Sequence, residues 1–173
     1  MIKKNFMLTG PPGVGKTTLI KEVLKEGKFR AGGFYTEEVR QKGRRVGFRI
    51  VTLDGKEGML AWVGVKSPYK VGRYGVVLRD LEEIAVPSMK KEGVEIVIID
   101  EIGKMECFSS RFRESLVEVL ESEVPVLATI KERGDRFIEG IKARKDVELF
   151  LLTRSNWEKV KEDILNSIKY LQG

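Results

Sequence analysis

The chain predicts an α/β fold: a doubly wound, mainly parallel sheet carrying an inserted antiparallel meander at about residues 33–62. Three observations lead there. Strand-like and helix-like segments alternate through the second half of the sequence, as parallel sheets with right-handed crossovers require. The Val- and Ile-rich run at 94–99 is the pattern of a strand covered on both faces. Near the start, a glycine-rich loop joins an apolar segment to an amphipathic one.

Taken in order, residues 2–8 read as a short buried strand. The loop 10–18 follows, then a helix with Leu19, Ile20, Val23 and Leu24 on one face and Gly27 as its expected stop. Strands at 33–39 and 46–53 flank a polar turn through Lys42, Gly43 and Arg44. Asp54-Gly55 turns the chain into a third strand at 59–62. Residues 80–92 look helical, with Pro87 expected to break or kink them. After the strand at 94–99 come a helix at 111–121 burying Phe112, Leu116, Val119 and Leu120, and a strand at 125–130. A helix at 136–145 capped by Asp135 and a strand at 147–152 continue the alternation. The final helix is expected to open on the capping-box pattern Ser155-Asn156-Trp157-Glu158, with Val160, Ile164, Ile168 and Leu171 inward. No repeat or linker interrupts residues 1–173, so one domain is expected.

Composition narrows the chemistry. Apolar residues make up 42% and charged residues 34%, an ordinary globular balance. There is no histidine and one cysteine. Histidine-dependent nucleophile systems, His or multi-Cys zinc sites and internal disulfides are therefore excluded, and Cys107 reads as a small hydrophobe. The net charge of +6 suits a polyphosphate ligand and also permits nucleic acid. Arg40, Lys42, Arg44 and Arg45 form the tightest basic cluster, which reads as a solvated loop. Scarce Asn and Gln beside abundant Lys, Arg and Glu point to a thermophilic source. No run of eighteen apolar residues exists and the first residues show no signal-type apolar stretch. A soluble, cytoplasmic, monomeric protein without membrane partners is expected.

Gly10-Pro11-Pro12-Gly13-Val14-Gly15-Lys16-Thr17 satisfies G-x-x-x-x-G-K-[ST], with Thr18 next. It lies between a predicted strand and a predicted helix, the context the motif needs. Glycines let backbone N–H groups turn inward around phosphate oxygens, and the helix N-terminus favours negative charge. Lys16 is expected on the β- and γ-phosphates, and the Thr17 hydroxyl on Mg²⁺. The second half of the site is expected at the end of the apolar strand. There Asp100 would reach Mg²⁺ and the adjacent Glu101, pointing elsewhere, would orient an attacking water.

With these residues stand Gly32–Arg40 (Gly-Gly-Phe-Tyr-Thr-Glu-Glu-Val-Arg), Gly43-Arg44-Arg45 with Gly47-Phe48, and Asp100-Glu101-Ile102-Gly103-Lys104-Met105-Glu106. Arg144-Lys145-Asp146-Val147 completes the set. Together they resemble the nucleoside-triphosphatase family of thermophilic microbes, whose human member is called cancer-related nucleoside-triphosphatase. The likeness covers nearly the whole chain. It implies a RecA-like or nucleotide-kinase-like P-loop core and slow hydrolysis of NTP to NDP and phosphate with broad base tolerance. Asn156 matches a family asparagine near the expected base pocket, while Trp157 stands where the family usually has Arg. Trp157 would either stack on a base or pack. Thr129 occupies a strand end where P-loop ATPases often place a γ-phosphate sensor. Glu37, Glu38 and Arg40 lie in a family signature, with a role in the site or only in positioning a loop.

Two rivals remain. A small-molecule or nucleotide kinase suits the size, although a carboxylate poised as Glu101 favours hydrolysis. A nucleic-acid-associated ATPase is allowed by the charge but has no RNA-binding signature. Asp100-Glu101-Ile102-Gly103 fits a GTPase D-x-x-G, yet no N-K-x-D follows. Arg79, Arg111, Arg113, Arg136, Arg144 and Arg154 are all candidates for the arginine that neutralises the transition state.

Overall fold

The computed structural model describes residues 2–173. Its centre is a nine-stranded sheet in the order β5-β6-β4-β3-β2-β7-β8-β1-β9. The strands are β1 (Asn5–Thr9), β2 (Ala31–Gln41), β3 (Arg44–Thr52), β4 (Glu57–Val63), β5 (Lys70–Val71), β6 (Tyr74–Val76), β7 (Ile96–Ile102), β8 (Val126–Ile130) and β9 (Val147–Leu151). The neighbours β2–β7, β7–β8, β8–β1 and β1–β9 run parallel. The neighbours β2–β3, β3–β4, β4–β6 and β6–β5 run antiparallel. The doubly wound sheet is as expected, but the antiparallel part is a full wing that extends to Val76 rather than ending near 62.

Helices α1 (Lys16–Gly27) and α6 (Trp157–Gln172) cover one face, and α4 (Ser110–Glu121) and α5 (Arg136–Lys142) the other. The period of two along the central strands makes this sandwich. In β7, Ile96 and Ile98 join Leu19, Ile20, Val160 and Ile164 on one side. Val97 and Ile99 join Phe112, Leu116 and Ile138 on the other. Each fully buried Leu, Ile or Phe contributes about 1.5–3 kcal/mol over its exposed state. Asn5 is buried at the root of the sheet and satisfied there. Its Nδ2 donates to the Leu120 carbonyl (3.0 Å) and its Oδ1 accepts from Val126 N–H (3.3 Å).

Several local expectations shift. The helix expected at 80–92 is instead α2 (Leu78–Asp80), a π-helical turn (Leu81–Ala85) and α3 (Val86–Ser88). Pro87 sits in α3 directly after the π-helical turn, whose last bond runs from Val86 N–H to the Leu81 carbonyl; having no N–H, Pro87 cannot continue that ladder. Helix α1 stops not on a left-handed Gly27 but on Lys28, at φ 54°. Glycine at 27 answers a different need, because a Cβ there would lie 2.1 Å from the Phe29 ring. Asp135 caps α5 as expected, its Oδ1 accepting from Ile138 N–H at 3.0 Å. The capping box at 155–158 does not form. Helix α6 begins at Trp157, and no side chain caps it.

Candidate functional site

Strand β1 delivers the chain to the loop of Gly10, Pro11, Pro12, Gly13, Val14 and Gly15 at the carboxyl end of the parallel strands. Gly15 is the last residue before α1 and has φ 98°; a Cβ on it would lie 2.9 Å from Nε1 of Trp157. That nitrogen donates to the Gly15 carbonyl at 3.0 Å. Trp157, read from sequence as base-stacking or packing, thus ties the start of α6 to the loop backbone. Lys16, the first residue of α1, turns its ammonium back over the loop mouth. It donates to the carbonyls of Gly10 (2.6 Å) and Pro11 (3.4 Å). Thr17 follows on the same turn and Thr18 is exposed.

Asp100 ends the apolar part of β7, buried at 5% exposure. Strand β8 comes between β7 and β1, so Asp100 faces the P-loop across the strand that carries Thr129. Both carboxylate oxygens are engaged. Thr17 Oγ1 donates to Oδ2 at 2.6 Å, and Thr129 Oγ1 donates to Oδ1 at 2.6 Å. Thr129, expected to sense a γ-phosphate, is here fully buried and holds Asp100 in place. Burial pushes the Asp100 carboxyl above its ordinary value, against the pull of the two hydroxyls and of Lys16 and Lys21. Tyr35 pairs with Asp100 in the β2–β7 register. Its phenol is pushed up to about 12 by burial and by that carboxylate, and the Lys21 ammonium stands 5.0 Å from the ring centre.

Glu101 is half-buried beside this cluster. Burial first, then the Asp100 charge, raise its carboxyl, while Lys16 and Lys131 pull it down. Behind it lies a group that the sequence reading did not single out. Glu106 sits in a 3-10 turn (Glu106–Phe108) and is buried at 3% exposure. A Cβ on Gly103 would meet Glu101 Oε1 at 2.9 Å and Glu106 Oε1 at 3.0 Å, so the two carboxyl groups converge over one glycine. Burial and then the Glu101 charge hold Glu106 well above the usual carboxylate range. The available signal was a lone acid between Met105 and Cys107, in a segment otherwise apolar enough to bury.

Other expected residues lie elsewhere or are engaged. The Asn156 side chain closes the β9–α6 loop, accepting from Thr153 N–H (2.7 Å) and donating to the Leu151 carbonyl (2.9 Å). Glu37 pairs with Arg49 at 2.8 Å, and Glu38 with Arg40 (3.2 Å) and Arg45 (3.1 Å), so these carboxylates belong to the wing. Among the arginines, Arg79 pairs with Glu83, Arg144 with Asp146, and Arg113 donates to the Cys107 carbonyl. Arg111 and Arg136 are exposed. Arg154 lines a cavity of about 410 Å³ together with Pro11, Gly13, Val14 and Thr153. Cys107 is buried, and burial pushes its thiol up to about 12, so it is inert as a nucleophile.

The donor set facing the P-loop is one hydroxyl and one carboxylate, all hard oxygen. Among the described residues no group of three or more His, Cys, Asp or Glu could hold a metal ion unaided. Such a set suits a cation that takes most ligands from phosphate and water, the habit of Mg²⁺. No helix among the described residues is long and apolar enough to cross a membrane.

The model of the NTPase family matches residues 5–165. Nucleoside-triphosphatase THEP1 of Thermotoga sp. (strain RQ2) is 50% identical over 170 residues, covering 97% of each chain. The human cancer-related nucleoside-triphosphatase is 41% identical, covering 96% of this chain and 97% of its own. Among solved structures, THEP1 from Aquifex aeolicus superposes with a TM-score of 0.84 at 39% identity, covering 95% of this chain and 99% of that one. The solution structure of a human cancer-related nucleoside triphosphatase gives 0.81 at 39% identity, covering 96% of this chain and 98% of that one. The resemblance read from the motifs thus extends over the whole fold, and the chain belongs to the P-loop nucleoside-triphosphatase family.

Proposed function

We propose that the chain hydrolyses the γ-phosphate of nucleoside triphosphates at the P-loop, with Mg²⁺ as cofactor and Glu101 activating the water. The observation that carries this reading is the clamp on Asp100, whose two oxygens accept from Thr17 and Thr129 while the half-buried Glu101 stands next to it. Mg²⁺, when bound, would neutralise charge on the β- and γ-phosphate oxygens. Thr17 and Asp100 are the residues that would hold it. Lys16 exchanges its neutral carbonyl acceptors for anionic phosphate oxygens, a stronger bond. The loop amides of 10–18 wrap the remaining phosphate oxygens. Glu101 accepts a hydrogen bond from the attacking water, orients it in line and takes its proton. Thr129 keeps Asp100 oriented. The cavity beside Arg154 and Thr153 receives the nucleoside, with Asn156 holding the loop that forms its wall. The chain works as a monomer, without nucleic acid, in the cytoplasm.

Glu101→Gln tests the mechanism, because it keeps the shape and removes the charge. Loss of a positioned base costs about 10²–10⁴ in rate, so turnover should fall by that much with Mg²⁺·NTP affinity kept within a few-fold. Asp100→Asn should weaken Mg²⁺-dependent binding as well. Hydrolysis by Glu101→Gln at the parent rate would remove Glu101 as the base.

A further inference from the structure

A second cavity, of about 280 Å³, opens between the segment that leaves β7 and the one that leaves β8. Its charged lining is Lys104, Lys131 and Arg133, with Asp135 at the rim; Cys107 and Phe108 supply an apolar wall. Lys131 directly follows β8, and its N–H donates to the Ile102 carbonyl at 3.1 Å, which fixes the root of this lysine against the residue after Glu101. Lys104 stands on the loop leaving β7. The three cations are exposed, and among the described residues none of their side chains makes an ion pair or hydrogen bond with the protein. Arg40, Arg45 and Arg49 of the wing, by contrast, each have a carboxylate partner. The one acid in the lining, Asp135, caps α5 through Oδ1, which accepts from Ile138 N–H, so three cations face a single carboxylate.

We propose that this cavity is a second anion subsite, beside the γ-phosphate position, which takes a small phosphate-bearing molecule. Unpaired like charges gathered around a concavity repel one another, and an anion between them removes that repulsion. The volume approaches the lower end of small-molecule pockets and far exceeds what one ion needs, and the wall of Cys107 and Phe108 offers contact to a carbon body. A phosphomonoester satisfies both halves of the lining. The Lys131 charge also reaches Glu101, so an occupant would sit within electrostatic range of the water-activating carboxylate. The inference rests on the reading above that the γ-phosphate lies between Lys16 and Glu101.

The test fills the first site before probing the second. Protein saturated with Mg²⁺ and a non-hydrolysable triphosphate analogue is titrated calorimetrically with inorganic phosphate, with glycerol 3-phosphate and with glycerol. Both phosphates should bind at one equivalent and glycerol should not, with the phosphomonoester the tighter. In the double variant Lys104→Ala/Arg133→Ala, both of whose positions are exposed, affinity for the phosphates should fall by about tenfold or more, as loss of charge-assisted contacts implies. Affinity for the analogue should stay within about twofold. Phosphate binding only to nucleotide-free protein, or equal binding to the double variant, overturns the proposal. Inorganic phosphate binding as tightly as the phosphomonoester would restrict the subsite to a single phosphoryl group and overturn the assignment to a larger molecule. Failure of the hydrolytic mechanism is read separately, from the rate of Glu101→Gln, and leaves this titration unaffected.

Discussion

The parallel half of the sheet and the antiparallel wing treat charge in opposite ways. In the wing, Arg49 bridges Glu37 and Glu57, and Arg45 joins Glu38 while stacking on Phe48 and Tyr74. All these charges are at the surface, where water solvates them and pairing changes little. At the carboxyl end of the parallel strands, Asp100 and Glu106 are buried and Glu101 half-buried, with no salt-bridge partner for any of them among the described residues. Burying a carboxyl without a counter-ion destabilises the fold. Three such groups, two at the end of β7 and one in the 3-10 turn after it, concentrate that cost at the end of the sheet that carries the P-loop.

The contrast can be broken most directly at Lys16. Lys16→Ala removes the one ammonium that the P-loop presents, and hydrolysis should fall by at least about 10²–10³ with triphosphate binding lost in a nucleotide titration. Retained affinity would reduce the loop to a structural turn. Next is Trp157→Phe, which keeps the packing and deletes the bond from Nε1 to the Gly15 carbonyl. A bond of this kind is worth about 0.5–1.5 kcal/mol, so the KM for NTP should rise up to about tenfold through a loosened loop. An unchanged KM would mean that packing alone holds the P-loop.

Glu106 sharpens the comparison through pH. Its folded-state carboxyl titrates above its unfolded value. The native state therefore binds the extra proton, and this stabilising contribution is complete below the unfolded value. It is lost as pH rises from the ordinary glutamate range toward the raised folded one. Glu106→Gln should flatten that decline and raise the melting midpoint near neutral pH, by about 2–4 °C per kcal/mol for a chain of this length. A slope equal to the parent's would show that Glu106 is ionised and solvated in the fold. The smallest effect is expected in the wing. Arg49→Ala should leave the hydrolysis rate unchanged and shift the midpoint less than any substitution above. A large loss of rate would tie the wing to the chemistry.

Much of this was legible in the sequence. Local patterning sufficed for the parallel strands, since a run such as 94–99 can be satisfied only by cover on both faces. The loop with Lys16 and Thr17 was legible as a pattern, because the motif sets glycine, cation and hydroxyl at fixed spacing along one turn, and Asp100 because it ends an apolar run. The outer wing was less so. Strands β5 and β6 are two and three residues long and take their geometry from pairing with β4 rather than from their own composition.

By itself, then, the sequence determined the sandwich, the phosphate loop and the absence of histidine or disulfide chemistry, because each depends on residues close in the chain. Only the tertiary structure decided what crosses between elements. It placed β8 between β1 and β7, so that Thr129 grips Asp100 rather than reaching outward. It set the Trp157 indole against Gly15, far away in sequence, and turned Asn156 into its own loop. It also converged Glu101 and Glu106 over Gly103. Burial, and with it the energy of a charge, depends on every segment packed around a residue, and no local pattern carries that information.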